Sequence, residues 1–221
     1  QLSGNQIAQI DALSGLTALQ WLLLGDNSIS DVSVISQMNQ LQRLDLSLNN
    51  ISDISSLSGL SELYRLYLSY NPVSNISALS GLTELQRLLL NNTQVVDTSA
   101  LANLSGLQTL YLQYNQLENV SGLSNLTSPN IVNLYANDTL SCDAVSTLAR
   151  LYDNGVVTSP ANCPLAEPNV ISIDDSQSSF ESNSNVEPFY QQFFAGAQEA
   201  MPMTQWSSPA AGMHCETSGE F

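Results

Sequence analysis

Leucine returns every 22 residues along much of this chain, at Leu22, Leu44, Leu66, Leu88 and Leu110. A second leucine follows each anchor by two positions, at Leu24, Leu46, Leu68, Leu90 and Leu112. Five positions after the anchor stand Asn27, Asn49, Asn71, Thr93 and Asn115. Apolar columns follow: Ile29, Ile51, Val73, Val95 and Leu117, then Ile35, Leu57, Leu79, Leu101 and Leu123, then Met38, Leu60, Leu82, Leu104 and Leu126. A period of this length marks a solenoid, because one unit cannot bury its own apolar face and must stack on a neighbour.

The chemistry of one unit dictates its shape. Leu-x-Leu alternates, so it forms a short strand with both leucines inward. The asparagine follows where the strand ends, and its amide can bond the backbone groups of its own turn and the next. Stacking the units makes an asparagine ladder, and the shorter hydroxyl of Thr93 is a local weak point in it. The Ile-Ser-Asp-Ile and Leu-Ser-Gly-Leu pieces predict an outer wall of tight turns or 3₁₀ segments. The column Asp31, Asp53, Asn75, Asp97 and Asn119 invites a calcium reading. Its residue types are better explained as turn residues that cap nearby N–H groups.

The pattern L-x-L-x-x-N-x-I-S-D-I-S-x-L-S-G-L-x-x-L resembles the internalin-type, 22-residue class of bacterial leucine-rich repeats, over roughly residues 1 to 140. The resemblance implies an α/β solenoid with a parallel concave sheet and a convex side of short 3₁₀ segments and turns. It also implies an extracellular or cell-surface protein whose concave sheet grips a partner. The helical cap that usually opens such arrays is not seen, since the chain starts on repeat-like Ile7, Ile10, Leu13 and Leu16. The tail shows no sortase signal and no immunoglobulin-like module, so wall anchoring and host-cell invasion are not part of the expectation. The first residue is Gln1, inside a repeat, which reads as a mature chain freed of its leader or as a fragment.

The repeat spacing stretches between Leu110 and Leu134, with Pro129 inserted. A helical pattern follows, with Ala144, Val145, Leu148 and Leu151 on one face. Ser141 or Asp143 can cap its start, and Asn154-Gly155 ends it. Three cysteines suggest one disulfide and one odd thiol. Residues 141 to 163 resemble the C-terminal cap of bacterial leucine-rich-repeat proteins, which implies a Cys142–Cys163 disulfide and an oxidising compartment. A metal site at these cysteines lacks further ligands.

Residues 164 to 221 change character: they are rich in Ser, Asn, Gln and Pro, and acidic without Arg or Lys. Such a composition cannot bury enough apolar surface to fold alone. Yet the segment carries Phe180, Phe189, Tyr190, Phe193, Phe194 and Trp206, and aromatics at this density seek an apolar surface. The tail is therefore expected to dock either on its own solenoid or on the next copy, and the second case would build a filament.

Alternation along each strand puts the residue before the anchor on the concave face: Trp21, Arg43, Arg65, Arg87, Thr109 and Asn133. The residue after it reads Leu23, Asp45, Tyr67, Leu89, Tyr111 and Tyr135, with Tyr70 and Tyr114 at the sheet margin. Three of the chain's four cationic residues thus stand in one ladder, where like charges repel unless Asp45, Glu62 or Glu84 answers them. Tyrosine and arginine are favoured at binding hot spots. The binding strip expected from this is Trp21, Arg43, Arg65, Tyr67, Arg87, Tyr111 and Tyr135.

The strip is an island in a chain with 20 acidic residues and a net charge of −16. That balance repels nucleic acid and anionic membranes, and no apolar run reaches the roughly 20 residues of a membrane helix. No catalytic constellation stands out. The one histidine, His214, sits beside Cys215 without a third group to orient it. No phosphate-cradling glycine loop and no cofactor or metal motif is present. The expectation is a non-enzymatic scaffold that binds a protein or glycan, or copies of itself through the tail.

Overall fold

In the computed structural model the chain is described over residues 1–152, 156–160 and 163. Seven short strands form one parallel sheet in chain order: β1 (Trp21–Leu23), β2 (Arg43–Asp45), β3 (Arg65–Tyr67), β4 (Arg87–Leu89), β5 (Thr109–Tyr111), β6 (Ile131–Asn133) and β7 (Val157–Thr158). Each anchor pairs with the next, Leu22 with Leu44 with Leu66 with Leu88 with Leu110. This is a leucine-rich-repeat solenoid. Behind the sheet the chain returns through 3₁₀ turns such as Ser33–Gln37 and Ser77–Gly81. Leu24, Leu46, Leu68, Leu90 and Leu112 and the other inward columns are fully buried between the two walls.

The asparagine column joins the repeats. Asn49 Oδ1 accepts from Ile29 N at 2.9 Å, in the preceding repeat. Its Nδ2 donates at 3.0 Å to Leu46 O of its own strand end and at 3.0 Å to Leu24 O of the preceding one. Asn27, Asn71 and Asn115 repeat the pattern. Thr93 Oγ1 lies 2.8 Å from Leu90 O of its own repeat and 2.6 Å from Asn115 Oδ1, and its single hydroxyl proton serves one of these acceptors at a time. Among the described residues it makes no bond back to the repeat of Leu68, so the expected weak point is there.

Just before each ladder residue the backbone turns left-handed. Asp26, Leu48, Tyr70, Asn92, Tyr114 and Ala136 all have φ between 52° and 57°. Each such non-glycine residue stores roughly 1 kcal/mol or more of strain. The turn swings the next side chain inward to the ladder, and the amide bonds hold it there.

The last repeat differs from the sequence expectation. Val132, not Leu134, pairs with Leu110, so the 22-residue register runs on unbroken. Asn130 N and Ile131 N both reach Gln108 O, as Gln108 N and Thr109 N reach Gln86 O one repeat earlier. Pro129 sits in the loop before β6 without lengthening the repeat. Leu134 is the second leucine of its pair, and Asn137 is a further ladder residue: its Oδ1 accepts from Leu117 N and its Nδ2 donates to Leu112 O. Ile131 and Asn133 therefore flank the anchor, and Tyr135 belongs to the margin.

The C-terminal cap closes the array. Helix α1 (Cys142–Leu151) starts at Ser141, whose side chain accepts from Ala144 N. It buries Val145, Leu148 and Ala149, while Leu151 points away and is 54% exposed, unlike the expected face. Tyr152 packs under the array and donates its hydroxyl to Leu123 O. The Cys142–Cys163 disulfide is formed, closing 21 residues, and a loop of that size stabilises by roughly 3 kcal/mol in the chain-entropy model. The helix stop expected at Asn154-Gly155, Cys215, and the tail residues Phe180, Phe189, Tyr190, Phe193, Phe194 and Trp206 lie outside the described residues.

Two stability predictions follow from this geometry. Thr93→Asn completes the ladder and should raise unfolding stability by about 1 kcal/mol, whereas Asn115→Ala strands buried backbone groups and should lower it by about 3 kcal/mol. Urea melts of both variants check this, and a destabilised Thr93→Asn would refute it. At Gly122 an added Cβ would lie 1.9 Å from Thr98 O, but at Gly15 it would meet nothing within 4 Å. Gly122→Ala should therefore cost about 2 kcal/mol or more by thermal unfolding and Gly15→Ala should not.

Candidate functional site

The concave face is a grid set by strand pairing. In register across β1 to β6 lie Trp21, Arg43, Arg65, Arg87, Thr109 and Ile131, and beside them Leu23, Asp45, Tyr67, Leu89, Tyr111 and Asn133. Neighbouring strands are about 4.8 Å apart, so the arginines stand shoulder to shoulder. Of the expected strip residues, the sheet brings Trp21, Arg43, Arg65, Tyr67, Arg87 and Tyr111 together. Tyr135 lies apart from these columns at the margin, its ring 5.7 Å from that of Tyr114 in an edge-to-face contact.

The three arginines are not equivalent. Arg43 is buried at 8% exposure, with its guanidinium 5.7 Å from the ring of Tyr67. Asp45, two residues on, is buried at 2%. Burial pushes the Asp45 carboxyl upward from its usual range, against the pull of bonds from Ser47 and the charge of Arg43. Its Oδ1 accepts from Ser47 N at 3.0 Å. Arg65 is half-buried and lies 5.4 Å over the ring of Tyr64, which the sequence reading did not single out. Arg87 is exposed, and its charge partly offsets the burial that raises the Tyr111 hydroxyl. Asp45 is the one acid in the two columns, and the charge of Arg43 acts on its carboxyl more weakly than burial does. Trp21, at 60% exposed, ends the row on β1.

The turn column on the convex side caps as expected. Asp31, Asp53, Asn75, Asp97 and Asn119 each accept through Oδ1 from the N–H two residues on. These bonds hold the Asp31 and Asp53 carboxyls below their usual range, and the Ser99 hydroxyl, followed by the Ser99 N–H, does the same for Asp97.

The leucine-rich-repeat family model matches residues 30–73. No curated protein sequence matches the chain. Among solved structures, internalin C2 of Listeria monocytogenes superposes with a TM-score of 0.68 and 40% identity, over 72% of this chain and 69% of that one. The chain belongs to the internalin family. Internalin F of the same bacterium shares the fold, with a TM-score of 0.65 and 24% identity, over 80% of this chain and 50% of that one. Outside the internalins, the leucine-rich-repeat ectodomain of a plant membrane receptor kinase from Arabidopsis thaliana matches with a TM-score of 0.53 and 25% identity, over 58% of this chain and 17% of that one. That ectodomain is in complex with Casparian strip integrity factor 2. The internalin fold is a protein-interaction scaffold. No described helix of this internalin is long and apolar enough to cross a membrane.

The carboxyl shifts give a pH prediction. Asp31, Asp53 and Asp97 have lowered folded pKa values, so their contribution is present above the unfolded value near 3.8 and is lost as pH falls through the folded ones. Asp45 has a raised value, so its contribution is present below 3.8 and is lost as pH rises through its folded pKa. The triple variant Asp31→Asn, Asp53→Asn, Asp97→Asn keeps the capping oxygens and should lose less stability than the parent between about pH 4 and about pH 2. Denaturant midpoints across that window test it, and parallel curves would refute it.

Proposed function

We propose that this chain is a secreted or surface-displayed recognition scaffold, not an enzyme, and that its concave face grips a partner protein. The observation that carries the reading is the row of Trp21, Arg65 and Arg87 on β1, β3 and β4, with the half-buried Tyr111 on the neighbouring β5. The aromatic residues give large contact area at little entropic cost, and the arginines give directional bonding. Kinship with internalin C2 and the ligand-bound plant ectodomain support the same use of the fold. The disulfide supports an oxidising, extracytoplasmic setting.

The test is a binding screen of the purified chain against arrays of surface proteins and glycans. A protein hit is expected to weaken at least tenfold in Trp21→Ala and Tyr111→Ala, and not in Ser55→Ala on the convex wall. A hit indifferent to the concave variants would overturn the reading, and glycan hits alone would replace its partner class.

A second reading is self-assembly, in which residues 164 to 221 dock on a neighbouring copy. It draws on exposed Leu2 and Leu16 at the first end of the array. Light scattering of the full chain and of a version lacking residues 164 to 221 separates the two. Large particles that fall to monomers on deletion would favour assembly, and monomers in both would remove it.

A further inference from the structure

The electrostatics of the concave face narrow the partner further. The face carries three arginines in register, but one of them is already engaged. Arg43 is buried beside Asp45 and against Tyr67. Asp45 is the carboxylate of the two columns that flank the anchors, and it stands next to Arg43. Arg65 and Arg87 pair directly across β3 and β4, and their neighbours in the grid are Arg43, Asp45, Tyr67, Leu89, Thr109 and Tyr111. The one carboxylate among them, Asp45, is buried on β2 beside Arg43, and none flanks Arg87. Arg65 is held against the ring of Tyr64, and Arg87 stands exposed.

From this, and resting on the concave-face reading above, we infer that Arg65 and Arg87 form a two-guanidinium receptor for an acidic protein segment that presents two carboxylates side by side. The argument is chemical. Two guanidinium groups about 4.8 Å apart at their backbone repel each other. That repulsion is relieved when each takes a carboxylate in a forked pair of hydrogen bonds. An extended Glu-x-Glu segment turns both carboxylates to one side, about 7 Å apart. Long arginine side chains rooted on neighbouring strands can open to that span. Tyr111, half-buried on β5, offers apolar surface for the intervening residue, whereas Tyr67 is buried.

The rest of the molecule sharpens the selection. The net charge is −16, so a long polyanion is repelled wherever it strays from the pair. A short acidic segment on an otherwise uncharged or basic partner gains the contact and avoids the repulsion. Burial of Arg43 against Tyr67 sets the boundary of the receptor towards β2. Specificity is then a matter of place as well as sign.

The test uses the full chain and three labelled peptides of equal length, carrying Glu-Tyr-Glu, Gln-Tyr-Gln or Lys-Tyr-Lys in a glycine-serine frame. Fluorescence anisotropy reads their binding to the parent protein, R65Q, R87Q and R150Q. Arg150 is exposed on α1, away from the sheet, and controls for overall charge. The expected result is at least tenfold tighter binding of the Glu peptide than of the Gln peptide. R65Q and R87Q should each lose about tenfold, and R150Q should match the parent. Circular dichroism melts confirm that the variants are folded. Equal binding of Glu and Gln peptides, equal losses in R65Q and R150Q, or no binding of the Glu peptide would each overturn the inference. A partner protein that needs Trp21 and Tyr111 but ignores R65Q and R87Q would leave the scaffold reading standing and remove this one.

Discussion

A buried asparagine amide at each turn of the solenoid sets the terms for everything around it. Its oxygen must find a donor and its nitrogen must find acceptors, since a stranded buried group costs roughly 1–3 kcal/mol. Asn49 meets that demand only if the repeat before it ends its strand at one height, with Leu24 O and Ile29 N in reach. The repeat length, the left-handed residue before each asparagine and the alignment of strands are all consequences. The leucines behind the sheet supply most of the burial energy, but leucines alone would allow neighbouring repeats to slide. The amide column locks one register, and the concave grid inherits its spacing from that lock.

Most of the scaffold could be read from the amino acids, because the period repeats the same demand in the same residue types. The reading failed where identity and role part company. Leu134 looked like the next anchor because it is a leucine, but the sheet asks only for an inward apolar side chain, and Val132 meets that demand. Counting asparagines would have placed the last repeat: Asn137 continues the ladder 22 residues after Asn115. The 24-residue stretch to Leu134 arose from following the more conspicuous column. Periodicity alone puts Leu151 on the buried helix face, but the buried face runs through Val145, Leu148, Ala149 and Tyr152 and leaves Leu151 outside.

The candidate face was half legible. Strand alternation named the right columns, and the arginine ladder followed from them. What alternation could not reveal was the inequality among the arginines. Burial of Arg43 with Asp45 depends on packing across strands, which no single repeat encodes. The stacking of Arg65 on Tyr64 involves a residue at a loop position that the two-residue period does not reach. Charge counts alone therefore miss that Arg43 is buried and that the more accessible arginines stand on the adjacent strands β3 and β4.

The left-handed positions along the sheet margin carry one more consequence. Their side chains share no chemistry: an acid, an aliphatic, two phenols, an amide and a methyl. They share only the lack of branching at Cβ, the property that makes such a backbone hardest to adopt. Selection at this rim thus acts on shape close to the main chain and leaves polarity open. A lineage can exchange these groups by point mutation, repainting the lip of the groove for a new partner while the interior stays as it was.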